Sequence, residues 1–218
     1  MPDLVFELAN RLMERPFDGV LRVAVDGVDG VGKTTFADRL AAALTSLGRF
    51  TIRASVDGFH NPRGHRYRLG KSSPEGFYRD SYDYAKLTSL LLEPLSPGGS
   101  RSYRAAAFDY REDRPVSTAT HMAPEDAILI VDGIFLQREE LRRFWDVSIF
   151  LDAPFEVTIP RGASRGSDFG SPDPADPSNR RYVEGQALYI AEVAPRERAT
   201  VVIDYSDLQH PRVVAWRG

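Results

Sequence analysis

The sequence predicts an α/β protein, a doubly wound parallel sheet with helices on both faces. Three observations lead there. Short apolar runs rich in β-branched residues alternate with stretches of helical periodicity. A glycine-rich turn joins the first of those runs to a long helical stretch. Two long polar stretches, 58–80 and 160–179, each follow a strand-like run, where an open parallel sheet gathers its ligand crevice.

Leu4, Val5, Leu8 and Leu12 recur at helical spacing, and Asp3, Glu7, Arg11 and Glu14 interrupt any apolar leader, so an amphipathic helix is expected to end before Pro16. Val20 to Asp26 (VLRVAVD) reads as a buried strand. Thr34 to Leu47 carries Phe36, Leu40, Ala43, Leu44 and Leu47 on a helical face, closed by Gly48. Thr51 to Val56 (TIRASV) is a second strand. Residues 58–80 read as a structureless loop rich in Gly, Pro, Arg and Tyr. A helix is expected over about Ser81 to Leu92, stopped by Pro94, and residues 101–126 read as irregular, with room for short strands. Ala127 to Asp132 (AILIVD) and Asp146 to Leu151 (DVSIFL) are strands; Arg180 to Val193 is a helix; Ala199 to Ile203 is the last buried strand.

With 218 residues, 42% of them hydrophobic, one core suffices, and a single domain with local insertions is expected over 1–218. A net charge of −3 brings no basic excess that would call for nucleic acid or a membrane surface. The lack of cysteine removes disulfides, thiolate zinc sites and Cys nucleophiles, and fits a cytoplasmic setting. No eighteen apolar residues run together, so no membrane span is expected.

Gly27-Val28-Asp29-Gly30-Val31-Gly32-Lys33-Thr34 satisfies G-x-x-x-x-G-K-[ST], the P-loop or Walker A pattern. Its glycines let amide N–H groups approach phosphate oxygens, and the following helix turns its N-terminal dipole on the same anion. Lys33, expected in a solvated cradle, can reach the β- and γ-phosphates, and the Thr34 hydroxyl can ligate Mg²⁺. The guanine-reading Asn-Lys-x-Asp tetrapeptide is absent, so ATP is the default nucleotide.

Asp132 closes the hydrophobic run of a Walker B strand and is expected to hold Mg²⁺, through water or through the groups it orients. Asp57 closes another strand at the same crevice, where a carboxylate can take the proton of an attacking hydroxyl; a turn aspartate is the plainer alternative. Arg161 and Arg165 lie four apart after Pro160, on one face if helical, fit to clamp a transferring phosphoryl group or to be a solvated basic face. Arg63, Arg66, Arg68, Lys71 and Arg79 read as a mobile rim around an anionic ligand or a solvated loop.

Gly27 to Thr35, Ser55-Val56-Asp57-Gly58-Phe59-His60, Ser73-Pro74-Glu75-Gly76 with Tyr82-Asp83, and Val131-Asp132-Gly133-Ile134-Phe135 resemble, in order and spacing over about residues 20–205, the uridine kinase and phosphoribulokinase-like superfamily, which also holds pantothenate and sugar kinases. The resemblance implies a P-loop kinase fold with an Arg-bearing lid, here about 161–179, and a substrate loop, here about 58–80. It puts the nucleotide against Gly27, Asp29, Gly30, Val31, Gly32, Lys33, Thr34 and Thr35, the base at Asp57 and the lid arginines at Arg161 and Arg165. The acceptor falls near His60, Tyr82, Asp109 and Tyr110. Departures concern the acceptor. Phe108-Asp109-Tyr110-Arg111-Glu112-Asp113-Arg114 lacks the His by which uridine kinases read the pyrimidine, Asp132 stands where they carry Glu, and Gly166 replaces the Asp after Arg165. The expectation is an ATP- and Mg²⁺-dependent kinase of a small-molecule hydroxyl, a nucleoside first. Pantothenate or sugar kinases, a thymidylate kinase-like enzyme and a non-catalytic nucleotide-binding regulator are the alternatives, and a homodimer is left open.

Overall fold

The computed structural model describes residues 4–164 and 170–217. Helix α1 (Leu4–Glu14) precedes β1 (Leu21–Gly27), α2 (Lys33–Ser46) and β2 (Thr51–Ser55). Short helices α3 (Arg63–Arg66), α4 (Pro74–Asp80) and α5 (Tyr84–Leu87) follow, the last continuing as a π-turn over Thr88–Leu92. Two small ribbons pair β3 (Ser102–Tyr103) with β6 (His121–Met122) and β4 (Phe108–Asp109) with β5 (Arg114–Pro115). The chain returns through β7 (Ile128–Asp132), α6 (Glu139–Arg142), β8 (Val147–Asp152), α7 (Phe155–Ser164), α8 (Arg180–Val193), α9 (Pro195–Arg198), β9 (Val201–Asp204) and β10 (Arg212–Trp216).

The main sheet runs β10-β9-β8-β1-β7-β2, all parallel except β10. Strand alternation divides the core between its faces. Val23, Val25, Ile128 and Ile130 pack with Leu8 and Leu12 of α1 and Phe36, Leu40 and Leu44 of α2. Ala24, Leu129 and Val131 pack on the other face with Phe77, Tyr78, Phe135 and Tyr189. Strands β1 and β7 are buried on both sides, which is why they read as apolar runs. The expected doubly wound α/β architecture is the one observed.

Three local expectations are corrected. The stretch 58–80 is not structureless: Ser73 caps α4 by accepting the Gly76 N–H at 3.0 Å, and α4 buries Phe77 and Tyr78. Its basic residues are tied down, Arg68 to Asp80 at 2.7 Å and Arg79 to Glu192 at 2.7 Å. The stretch from 160 does not start at a strand end, because α7 runs through Pro160 and carries Arg161 in its last turn. A final antiparallel edge strand, β10, follows the strand expected to be the last. Among the described residues no helix is long and apolar enough to cross a membrane.

Candidate active site

The strand β1 delivers Gly27 to the carboxyl end of the sheet, and α2 leaves from Lys33. Gly32 has no side chain with which to cap α2, and the Phe36 N–H, 3.0 Å from Gly32 O, starts the helical ladder. The first-turn amides therefore serve the loop, the arrangement that receives phosphate. Gly30 is required sterically. With φ +77°, a Cβ there would stand 2.0 Å from the carbonyl oxygen of Thr158, so α7 lies directly on the loop.

Lys33 is buried, not solvated. Its ammonium donates to Val28 O at 2.9 Å and stands 3.6 Å from Asp29 Oδ1. Its charge is held inside the cradle by the loop itself. Next to it the Thr34 hydroxyl donates to Asp132 Oδ2 at 2.7 Å. The other oxygen of Asp132 accepts from Arg53 Nη2 at 3.0 Å. This donor set suits Mg²⁺: a hydroxyl oxygen and a carboxylate side by side at a phosphate loop, hard oxygens that leave room for water.

Asp57 sits in the 3₁₀ turn Val56–Phe59 that closes β2, with its side chain half exposed to the cleft. Tyr82 Oη donates to Asp57 Oδ1 at 3.2 Å, and burial pushes the Tyr82 phenol well above its ordinary range, so it stays a donor. His60 Nδ1 lies 2.9 Å from the Asp57 carbonyl oxygen; a carbonyl only accepts, so Nδ1 carries the proton. The His60 ring contacts the rings of Tyr82, with centroids 4.5 Å apart, and of Tyr110, at 4.8 Å. Gly133 permits the neighbouring approach: a Cβ at its φ of +157° would meet Val56 Cγ1 at 2.2 Å. Asp29, Gly30, Gly32, Lys33, Thr34, Asp57, Tyr82, Asp132 and Gly133 thus line one cleft.

Not every expected residue joins it in that way. Asp109 Oδ1 accepts the N–H groups of Arg111 and Glu112 at 2.9 and 3.2 Å, capping its own hairpin. Arg161 donates to the carbonyls of Tyr205, at 3.0 Å, and Ser206. Arg165 lies outside the described residues.

Four residues beyond those the sequence points to support the loop and the Thr34–Asp132 pair. Asp26 is fully buried at the end of β1; its Oδ1 accepts the Gly27 N–H at 2.7 Å, and its Oδ2 accepts the Tyr189 hydroxyl and, at 3.4 Å, Gln137 Nε2. Burial raises this carboxyl to about 6. Gln186, one turn before Tyr189 on α8, takes the Asp29 N–H on its Oε1 at 2.5 Å. Arg53 is the fourth to be added, with Asp26, Gln186 and Tyr189. An acid inside an otherwise apolar run and an arginine inside a strand were the available signals.

The fold and the glycine loop define a P-loop protein of the α/β NTPase class. No protein-family model matches the chain. Uridine kinase from Schizosaccharomyces pombe is 26% identical over 208 residues, 87% of this chain and 43% of that protein, so the chain spans less than half the relative's length. A possible uridine kinase from Bacillus stearothermophilus superposes with a TM-score of 0.72 at 24% identity, covering 91% of this chain and 96% of that one. A candidate fructose transport system kinase from Silicibacter sp. gives 0.62 at 26% identity, over 84% of this chain and 94% of the other. The chain is thus similar to uridine kinases in sequence and shares its fold with P-loop kinases of known structure.

Proposed function

We propose that the chain is an ATP-dependent phosphotransferase that moves the γ-phosphate to an alcohol group of a small molecule, a nucleoside being the leading class. The observation that carries the reading is the sharing of one cleft by the phosphate loop, the Thr34–Asp132 pair and Asp57. A nucleotide regulator has no use for a carboxylate placed across from the loop.

In this reading the loop amides and Lys33 grip the phosphates, which requires the ammonium to leave Val28 O for a phosphate oxygen. Thr34 and Asp132 would hold Mg²⁺, which supplies charge neutralisation at the phosphates when bound. Asp57 accepts the proton of the attacking hydroxyl, and Tyr82 fixes which of its oxygens faces the acceptor. Arg161 starts from its carbonyl acceptors on the loop after β9 and closes on the phosphoryl group. The aromatic set of His60, Tyr82 and Tyr110 forms the acceptor wall.

One observation favours a second acceptor class. Asp109 holds its own turn through Oδ1, so only its Oδ2 is left to read an acceptor. A polyol or sugar acceptor needs no such group, and one relative is named as a fructose transport system kinase.

A screen of uridine, cytidine, pantothenate, fructose and thymidylate with Mg·ATP, read as ADP release above the blank without acceptor, tests both. Acceptor-dependent release with a nucleoside supports the leading reading, and release with fructose alone supports the second. ATP binding without release in any arm returns the chain to the regulator class.

A further inference from the structure

Arg53 occupies the middle of β2, and its guanidinium is fixed on three sides. Nη1 donates to the carbonyls of Ala54 and Ile130 at 2.9 and 3.0 Å, bridging β2 and β7. Nε and Nη2 both donate to Asp38 Oδ1 on α2, at 3.0 and 2.9 Å. Nη2 also donates to Asp132 Oδ1 at 3.0 Å. The planar fork is thus set by backbone and by α2 before the Asp132 carboxylate is considered, which a lysine cannot reproduce.

The Asp132 side chain is 3% exposed, and both its oxygens are occupied, Oδ1 by Arg53 and Oδ2 by the Thr34 hydroxyl. A threonine hydroxyl has one proton and two lone pairs. Once that proton is committed to Asp132, the lone pairs must point elsewhere, and Thr34 lines the cleft. A carboxylate already paired with a guanidinium is a poor direct ligand, while Mg²⁺ keeps much of its water.

We propose that Arg53 is a positioning residue of the metal site: it locks Asp132, and through Asp132 it turns the Thr34 oxygen toward the cation, leaving Asp132 to act through water. This rests on the reading of the cleft as a Mg·ATP site. The competing role is purely structural, a cross-link between β2 and α2 through Asp38.

Mn²⁺ binding, followed by the loss of the free-ion electron paramagnetic resonance signal in the presence of a non-hydrolysable ATP analogue, separates the two. Arg53→Met is expected to weaken Mn²⁺ binding by about 10- to 100-fold, the range for partners that orient a metal ligand. Arg53→Lys should fall between it and wild type, and it decides the matter if Arg53→Met does not fold. Asp38→Ala removes the acceptor on α2 and leaves Nη1 on its two carbonyls, so it should lower thermal stability and move Mn²⁺ affinity far less than Arg53→Met does. Equal shifts in the Arg53 and Asp38 variants, or unchanged Mn²⁺ affinity in both Arg53 variants, overturn the proposal. A wild type that binds no metal–nucleotide complex overturns the cleft reading instead, and the inference falls with it.

Discussion

The hydroxyl of Tyr82 and the carboxylate of Asp57, 25 positions apart in sequence, meet at 3.2 Å across the mouth of the cleft. The bond ties down one oxygen of a half-exposed acid in the turn after β2. Asp57→Asn should cut kcat by about 10²–10⁴-fold, the range for a general base. Tyr82→Phe should lower it less, because the base remains. Nucleotide affinity, measured by calorimetry, should be unchanged in both; a near-normal kcat for Asp57→Asn makes it a turn residue.

Lys33 calls for a different substitution from the usual alanine. Its stem is buried, so Lys33→Met keeps the packing and removes only the charge. Turnover of ATP should be nearly abolished while the thermal melt stays close to wild type. Normal turnover at a normal melting temperature would remove Lys33 from the phosphate site.

Asp26 makes stability depend on pH in a direction opposite to most carboxylates. Its pKa rises from 3.8 to about 6 because burial disfavours the charge. The unfolded chain ionises it more readily, so the contribution of this group to stability falls as pH climbs from about 4 to about 6 and then levels off. Asp26→Asn should stabilise the protein by up to about 3 kcal/mol above that window and by little below it. Urea denaturation of both proteins from pH 4 to 8 checks this; a constant difference across the range would contradict it.

Gly133→Ala tests the close approach of β7 to the turn that carries Asp57. The new methyl would collide with Val56 Cγ1, and the cost expected for such overpacking is about 1–3 kcal/mol. An unchanged denaturation midpoint would show that the turn gives way freely.

Arg161→Ala separates a clamp from a brace. As a clamp, Arg161 acts in the transition state, and kcat should fall far more than the acceptor KM rises. As a brace on the carbonyls of Tyr205 and Ser206, its loss should lower the melting temperature and leave kcat alone.

The parts of the fold legible in the sequence were those where local signal and tertiary setting agree. The phosphate loop lies between a buried strand and a long helix, and Asp132 ends a strand whose apolar run is plain. Helix α4 was obscured because Gly, Pro and Arg dominate 58–80, although Ser73-Pro74 is a helix start in its own right, a cap followed by proline at the first turn. Strand β10 was missed because Val213 and Val214 are exposed at an edge, where no alternation marks a core face. Arg53 and Asp26 depend on cross-strand and cross-helix partners 79 and 163 positions away, which no local pattern encodes. For Arg161 the helical spacing was informative about its face and silent about the carbonyls that hold it.

Gln186 and Tyr189 grip the phosphate loop at two points, the Asp29 N–H and the Asp26 carboxylate, from one face of α8. A single such bond would act as a pivot and leave the helix free to turn about its long axis. Two bonds three residues apart remove that freedom, since a shift of one residue in register rotates the face by about 100° and carries both side chains off their partners together. The helix behind the loop is therefore indexed, with one angular setting in which both latches engage.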